Sequence, residues 1–133
     1  MISLATDERE IVLLYDSNNK NHREIYAYAV AAKKPLNAID VNKQHTTGTQ
    51  WSEIANKLDK DVKDLIDTDH SIFIEKHGKK VSLTNDGAIK LLQNDPEMLL
   101  FPIAVQGDKA KVLHLYGDMT DFIGPDTAAV NIP

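Results

Sequence analysis

The residues best placed to do chemistry form one run, Asp16-Ser17-Asn18-Asn19-Lys20-Asn21-His22-Arg23. Ser and Asn side chains build turns and cap helices, while Lys20, Arg23 and His22 can carry positive charge. A polar loop that opens a helix aims free N–H groups at whatever the loop surrounds, which suits an anion, a peptide carboxylate or a thiolate. The chain contains no cysteine, so disulfides, thiolate metal sites and thiol catalysis are excluded. Nothing nearby plainly activates Ser17 as a substitute nucleophile. Lys20 and Arg23 therefore read as a basic helix start, either exposed to water or holding an anion.

Carboxylates and histidines offer less. His22, His45, His70, His77 and His114 show no H-x-x-x-H or H-E-x-x-H spacing, and solvated loop histidines are the ordinary reading. Asp59-Lys60-Asp61 and Asp67-x-Asp69 read as a solvated helix edge. A calcium loop would need twelve residues with an internal Gly and a terminal Glu.

The elements around the polar run set its context. Ile11-Val12-Leu13-Leu14-Tyr15 is a short continuous apolar run, as in a strand covered on both faces. Ile25, Tyr28, Ala29 and Ala32 recur at helical spacing over residues 23–33, and Lys34-Pro35 stops that helix. Residues 36–41 mostly alternate, giving a second strand and a βαβ unit with two parallel strands. Thr49 can cap a helix carrying Trp51, Ile54, Ala55 and Leu58, and Val62, Leu65 and Ile66 continue on a second short helix. Ser71-Ile72-Phe73-Ile74 is extended or a last helical turn, and His77-Gly78-Lys79-Lys80 is a turn. Thr84 caps a helix with Asp86 in its first turn, ended by Asp95-Pro96. Residues 103–105 and 112–115 are strands joined by a hairpin turn at Gln106-Gly107-Asp108-Lys109. Residues 120–123 form a short terminal helix. Tyr26, Tyr28 and Trp51 read as core or helix-packing residues; an exposed Trp51 would indicate a partner surface.

Bulk composition narrows the function classes. A chain of 133 residues, 42% hydrophobic and 26% charged, suits one domain with a real core. We expect that domain over residues 10–124, with a leader or edge strand at 1–9 and a tail at 125–133. A net charge of −5 opposes nucleic-acid binding through a broad basic face. No apolar run approaches the ~18 residues of a membrane span and no signal-peptide pattern opens the chain, so the expectation is a cytoplasmic protein without a membrane partner.

The order β-α-β, helices, then helix, proline and hairpin resembles the arsenate reductase and Spx family, a thioredoxin-like α/β fold with a mixed four-stranded sheet and an inserted helical segment. Residues 84–105 carry the likeness. They resemble the family segment in which a helix ends in a His-Pro pair and leads to Arg-Pro-Ile-Val-Val; the spacing of Pro96 and Pro102 and the Pro-Ile-x-Val ending agree. Asp67-Thr68-Asp69-His70 follows Leu65-Ile66 much as Asn-Thr-Arg follows a Leu-Leu pair in family members. The likeness covers residues 10–123.

The resemblance implies that Phe101-Pro102 is the family's cis peptide, facing the loop of residues 17–22 across a cleft where a peptide or glutathione could pair. It also shows what has been replaced. With Arg23 aligned to the arginine of Cys-x-x-Cys-Arg, Asn19 and His22 stand at the cysteine positions; an alignment keeping the distance from Tyr15 puts Lys20 there. Asp69 stands at one oxyanion-binding arginine and Phe101 at another. An aspartate facing arsenate adds ~1 kcal/mol or more of repulsion even when solvated. The expectation is a non-catalytic binding or regulatory module for an unknown protein or small molecule, without cofactor, its altered cleft formed by Ser17, Asn18, Asn19, Lys20, His22, Arg23, Asp69, Phe101 and Pro102. The alternative is an enzyme using the thiol of bound glutathione. A third reading brings His22, His70 and Asp69 together on zinc.

Overall fold

A computed structural model describes residues 10–68, 74–75 and 83–123. The first strand, β1 (Ile11–Tyr15), is central because its neighbours lie on both sides. It runs parallel to β2 (Leu36–Asp40) and antiparallel to β3 (Ile103–Gln106), and β3 pairs with β4 (Lys109–Val112), giving the order β2-β1-β3-β4. Successive side chains on a strand point to opposite faces, so β1 feeds two cores. Val12 and Leu14 join Trp51, Ile54, Leu65, Leu92 and Met98 on one face. Ile11 and Leu13 join Ile25, Ala29, Met119 and Phe122 on the other. This double burial explains the unbroken apolar run of β1.

Helix α1 (Lys20–Ala31) and the short α4 (Thr120–Ile123) cover the second face. Helices α2 (Gly48–Leu58) and α3 (Asn85–Asn94) cover the first, together with a 3-10 turn at Val62–Leu65. Thr84 caps α3 as expected, its Oγ1 accepting the Gly87 N–H at 3.0 Å.

Several boundaries differ from the sequence reading. α1 starts three residues early because Asn19 caps it. α2 is capped by Thr47 rather than Thr49, since Thr47 and Gln50 form a reciprocal capping box. The second hairpin strand ends at Val112, before His114. Gln106 pairs with Lys109, so only Gly107 and Asp108 form the turn, with Gly107 at φ 62°. A two-residue turn pulls the strand three residues back along the sequence. Val62–Leu65 is 3-10, and Ile66 instead bridges to Leu99. Trp51 is buried, its Nε1–H donating to Thr46 Oγ1 at 2.6 Å. Ile74 is helical; the expected features at residues 1–9, 71–73, 77–80 and 124–133 lie outside the described residues. Among the described residues no helix is long and apolar enough to cross a membrane.

Candidate functional site

The polar run after β1 folds onto itself. Asn19 has extended backbone geometry at the α1 start, and its Oδ1 accepts the N–H groups of Asn21 and His22. The Asn18 N–H donates to Asp16 Oδ1 and the Asn19 N–H to the Asp16 carbonyl. The Ser17 N–H crosses to Asp40 Oδ1 at the end of β2, while Arg23 Nη1 donates to the Ser17 carbonyl at 3.2 Å. Two of the donors that a free helix start would offer an anion, the Asn21 and His22 N–H groups, are thus taken by the Asn19 side chain. Lys20 and Asn18 remain exposed.

His22 is the centre of this arrangement and is fully buried, so the solvated-loop reading is corrected. Its Nδ1 accepts the Asp16 N–H at 2.9 Å, which places the ring proton on Nε2, and Nε2–H donates to the Leu100 carbonyl at 3.1 Å. Burial pushes the imidazole below its ordinary pKa, outweighing the Leu100 hydrogen bond and the Asp16 charge, which act upward. With both nitrogens engaged, His22 has no lone pair for zinc. His70 and Asp69 lie outside the described residues, and among those described no group of three or more His, Cys, Asp or Glu is placed to hold a metal.

Imidazole therefore stands between the loop and the segment before Pro102, where the resemblance implies an open cleft. The Phe101-Pro102 peptide is trans: no cis peptide occurs among the described residues. Trans is the intrinsic preference of an X–Pro bond, by ~0.5–1 kcal/mol. One residue before Phe101, the Leu100 carbonyl is held by His22, and the Pro102 carbonyl accepts the Leu113 N–H at 2.8 Å.

The burial of two carboxylates escaped the sequence reading. Asp16 and Asp40, at the ends of the parallel strands β1 and β2, are 2% and 6% exposed, and Asn42 Nδ2 donates to Asp16 Oδ1. Burial acts to raise the Asp40 pKa, but donors from Ser17 and Asn42 outweigh it and hold the carboxyl below the usual range. Asp40 Oδ2 has no hydrogen-bond partner. Their sequence signal was an acidic residue directly after β1 and another at the last position of β2, which a turn explains equally well.

Phe101 packs beside the hairpin's outgoing end. Its ring meets the exposed His114 ring at 4.3 Å and 54°, and both line a hollow with Lys60, Asp64, Leu65, Leu100 and Val112. The hollow is positioned by backbone links: the Leu100 N–H donates to the Leu65 carbonyl at 3.0 Å and the Asp67 N–H to the Met98 carbonyl at 2.8 Å. The expected site residues thus divide, with Ser17, Asn18, Asn19, Lys20, His22 and Arg23 in the loop and Phe101 at the hollow. Pro102 is buried.

A mixed four-stranded sheet with a central first strand, a βαβ unit and a closing hairpin defines a thioredoxin-like protein. The chain belongs to the ArsC family, whose model matches residues 16–113. Solved structures share the fold. An arsenate reductase from Vibrio cholerae superposes with a TM-score of 0.73 at 13% identity, covering 86% of this chain and 98% of that one. A Yersinia pestis protein provisionally titled an arsenate reductase gives 0.72 at 15%, covering 84% and 98%. A possible arsenate reductase from Streptococcus mutans UA159 gives 0.60 at 16%, covering 82% and 96%. At these identities the likeness is one of fold. No curated protein matches the chain.

Proposed function

We propose that this chain is a non-catalytic ArsC-family domain that works by binding. One observation carries the reading: His22, standing where a cysteine of the resembled motif would fall, is buried with both ring nitrogens bonded inside the chain. An imidazole so held has no free lone pair with which to attack an oxyanion. The helix start offers no substitute, because Asn19 Oδ1 already takes two of its N–H groups. The same closure disfavours glutathione as a resident thiol donor, since its peptide would compete with these internal bonds.

Arsenate turnover by the purified chain, supplied with glutathione and glutaredoxin, is the test. Rates equal to the protein-free blank are expected, and reproducible turnover would overturn the reading. In parallel, a glutathione titration followed by amide NMR is expected to leave Asn19, Lys20 and Phe101 unshifted. Pro102 has no amide proton, so the N–H of Ile103 reports for it and should stay unshifted as well. Shifts gathered on these residues would instead support an enzyme using its ligand's thiol.

A further inference from the structure

The hollow beside Phe101 has a size, a lining and a rim that together select an occupant. Its volume is about 160 Å³. An apolar cavity of ~150 Å³ takes up benzene, whereas sites for small organic ligands run to ~300–1,000 Å³. One ring or one branched aliphatic side chain therefore fits; a tripeptide or a nucleotide does not. Leu65, Leu100, Phe101 and Val112 supply apolar lining, and His114 adds a ring face beside Phe101.

The rim is acidic. Asp64 and Lys60 stand at the hollow and also border an adjoining polar depression with Asn56, Asp59 and Asp61. Three carboxylates there face one ammonium, and all four side chains belong to exposed residues. Lys57, the preceding cation on α2, is engaged elsewhere, with Asp108 at 3.5 Å and the Gly107 carbonyl at 3.2 Å. Among the described residues none of Asp59, Asp61 and Asp64 is in an ion pair.

We propose that this hollow docks one aromatic or branched aliphatic side chain of a partner peptide whose neighbouring residues are basic. The inference rests on the binding role proposed above and names its partner class. The anchor enters between Leu65, Leu100, Phe101 and Val112, and the flanking cations lie over Asp59, Asp61 and Asp64. An anchor side chain in a desolvated pocket with charges at its rim is a common division of labour at protein interfaces.

The probe is an acetylated, amidated peptide with a central phenylalanine and two lysines on each side, titrated into the 15N-labelled full chain. Amide shifts are expected at Leu65, Leu100, Phe101, Val112 and His114, with affinity falling as salt rises. Phe101→Ala should weaken binding about tenfold. The double variant Asp59→Asn, Asp61→Asn should weaken it severalfold and flatten the salt dependence. Asparagine tolerates the left-handed backbone of Asp59, at φ 58°, so that variant keeps its fold. Absence of shifts up to about 10 mM peptide, a concentration that captures even weak contacts, would overturn the proposal. Equal binding of an alanine-centred or a glutamate-flanked peptide would do so too. Those failures leave the non-catalytic reading intact, which arsenate turnover tests separately.

Discussion

His22 ties the loop after β1 to the segment before Pro102. Its ring fills space, accepts the Asp16 N–H and donates to the Leu100 carbonyl. His22→Ala removes all three, leaving a buried donor unpaired and a cavity; a loss of about 3 kcal/mol is expected in chemical denaturation. A loss below about 1 kcal/mol would contradict the bridge. The pH dependence follows from the sign of the shift. His22 is held below its ordinary value of 6.5, so the unfolded chain takes up a proton that the folded chain refuses. This contribution to stability is complete above about pH 6.5 and falls with pH until the folded-state value is passed, at up to about 1.4 kcal/mol per pH unit. Denaturation midpoints measured between about pH 7 and 5 should show that slope in the parent chain and lose it in His22→Ala. Asp40 has the same sign at lower pH: its depressed carboxyl contributes above the usual aspartate range and ceases to as pH falls through the folded-state value. The sequence brought His22 forward as a site residue but not its burial, because its partners are a backbone N–H six residues back and a carbonyl 78 residues ahead. Asp16 and Asp40 were hidden for a similar reason: only pairing of β1 with β2 brings Ser17 N–H to Asp40.

Elements with local signals were legible, and those defined by a partner strand were not. β1, the Thr84 cap and the terminal helix stand where periodicity and capping chemistry put them. α2 shows how two local signals compete. Thr49 looks like a cap, but Thr47 has a glutamine three residues on and so satisfies two backbone donors at once. Thr47→Ala should therefore lower stability by about 1 kcal/mol, and Thr49→Ala by less; thermal denaturation of both variants checks the order, and a reversed order would contradict the capping assignment. The β4 register depended on turn length. Gly107 at φ 62° makes a two-residue turn available, so pairing starts at Lys109 and His114 is left exposed beyond the strand. That shift carries functional weight, because it sets His114 against Phe101 and forms one wall of the hollow.

At the scale of the molecule, the ArsC framework is kept, with His22 bonded between the loop after β1 and the segment before Pro102. The two-faced core was readable from β1, which is apolar throughout because both of its faces are covered; the strand order was not, because no local pattern encodes it. The trans Phe101-Pro102 bond was not, since the expectation of a cis bond came from family likeness alone. The same segment that gives Leu100 to His22 presents Phe101 on the hollow with the acidic rim. The His22 bridge and the hollow are separable features, built from different side chains. The most direct measurement is the NMR titration of the His22 ring nitrogens in the intact chain. The account predicts a proton fixed on Nε2, an unprotonated Nδ1, and a midpoint clearly below 6.5. Free exchange between tautomers with a midpoint at or above 6.5 would show a solvated imidazole and an open cleft, and would contradict it.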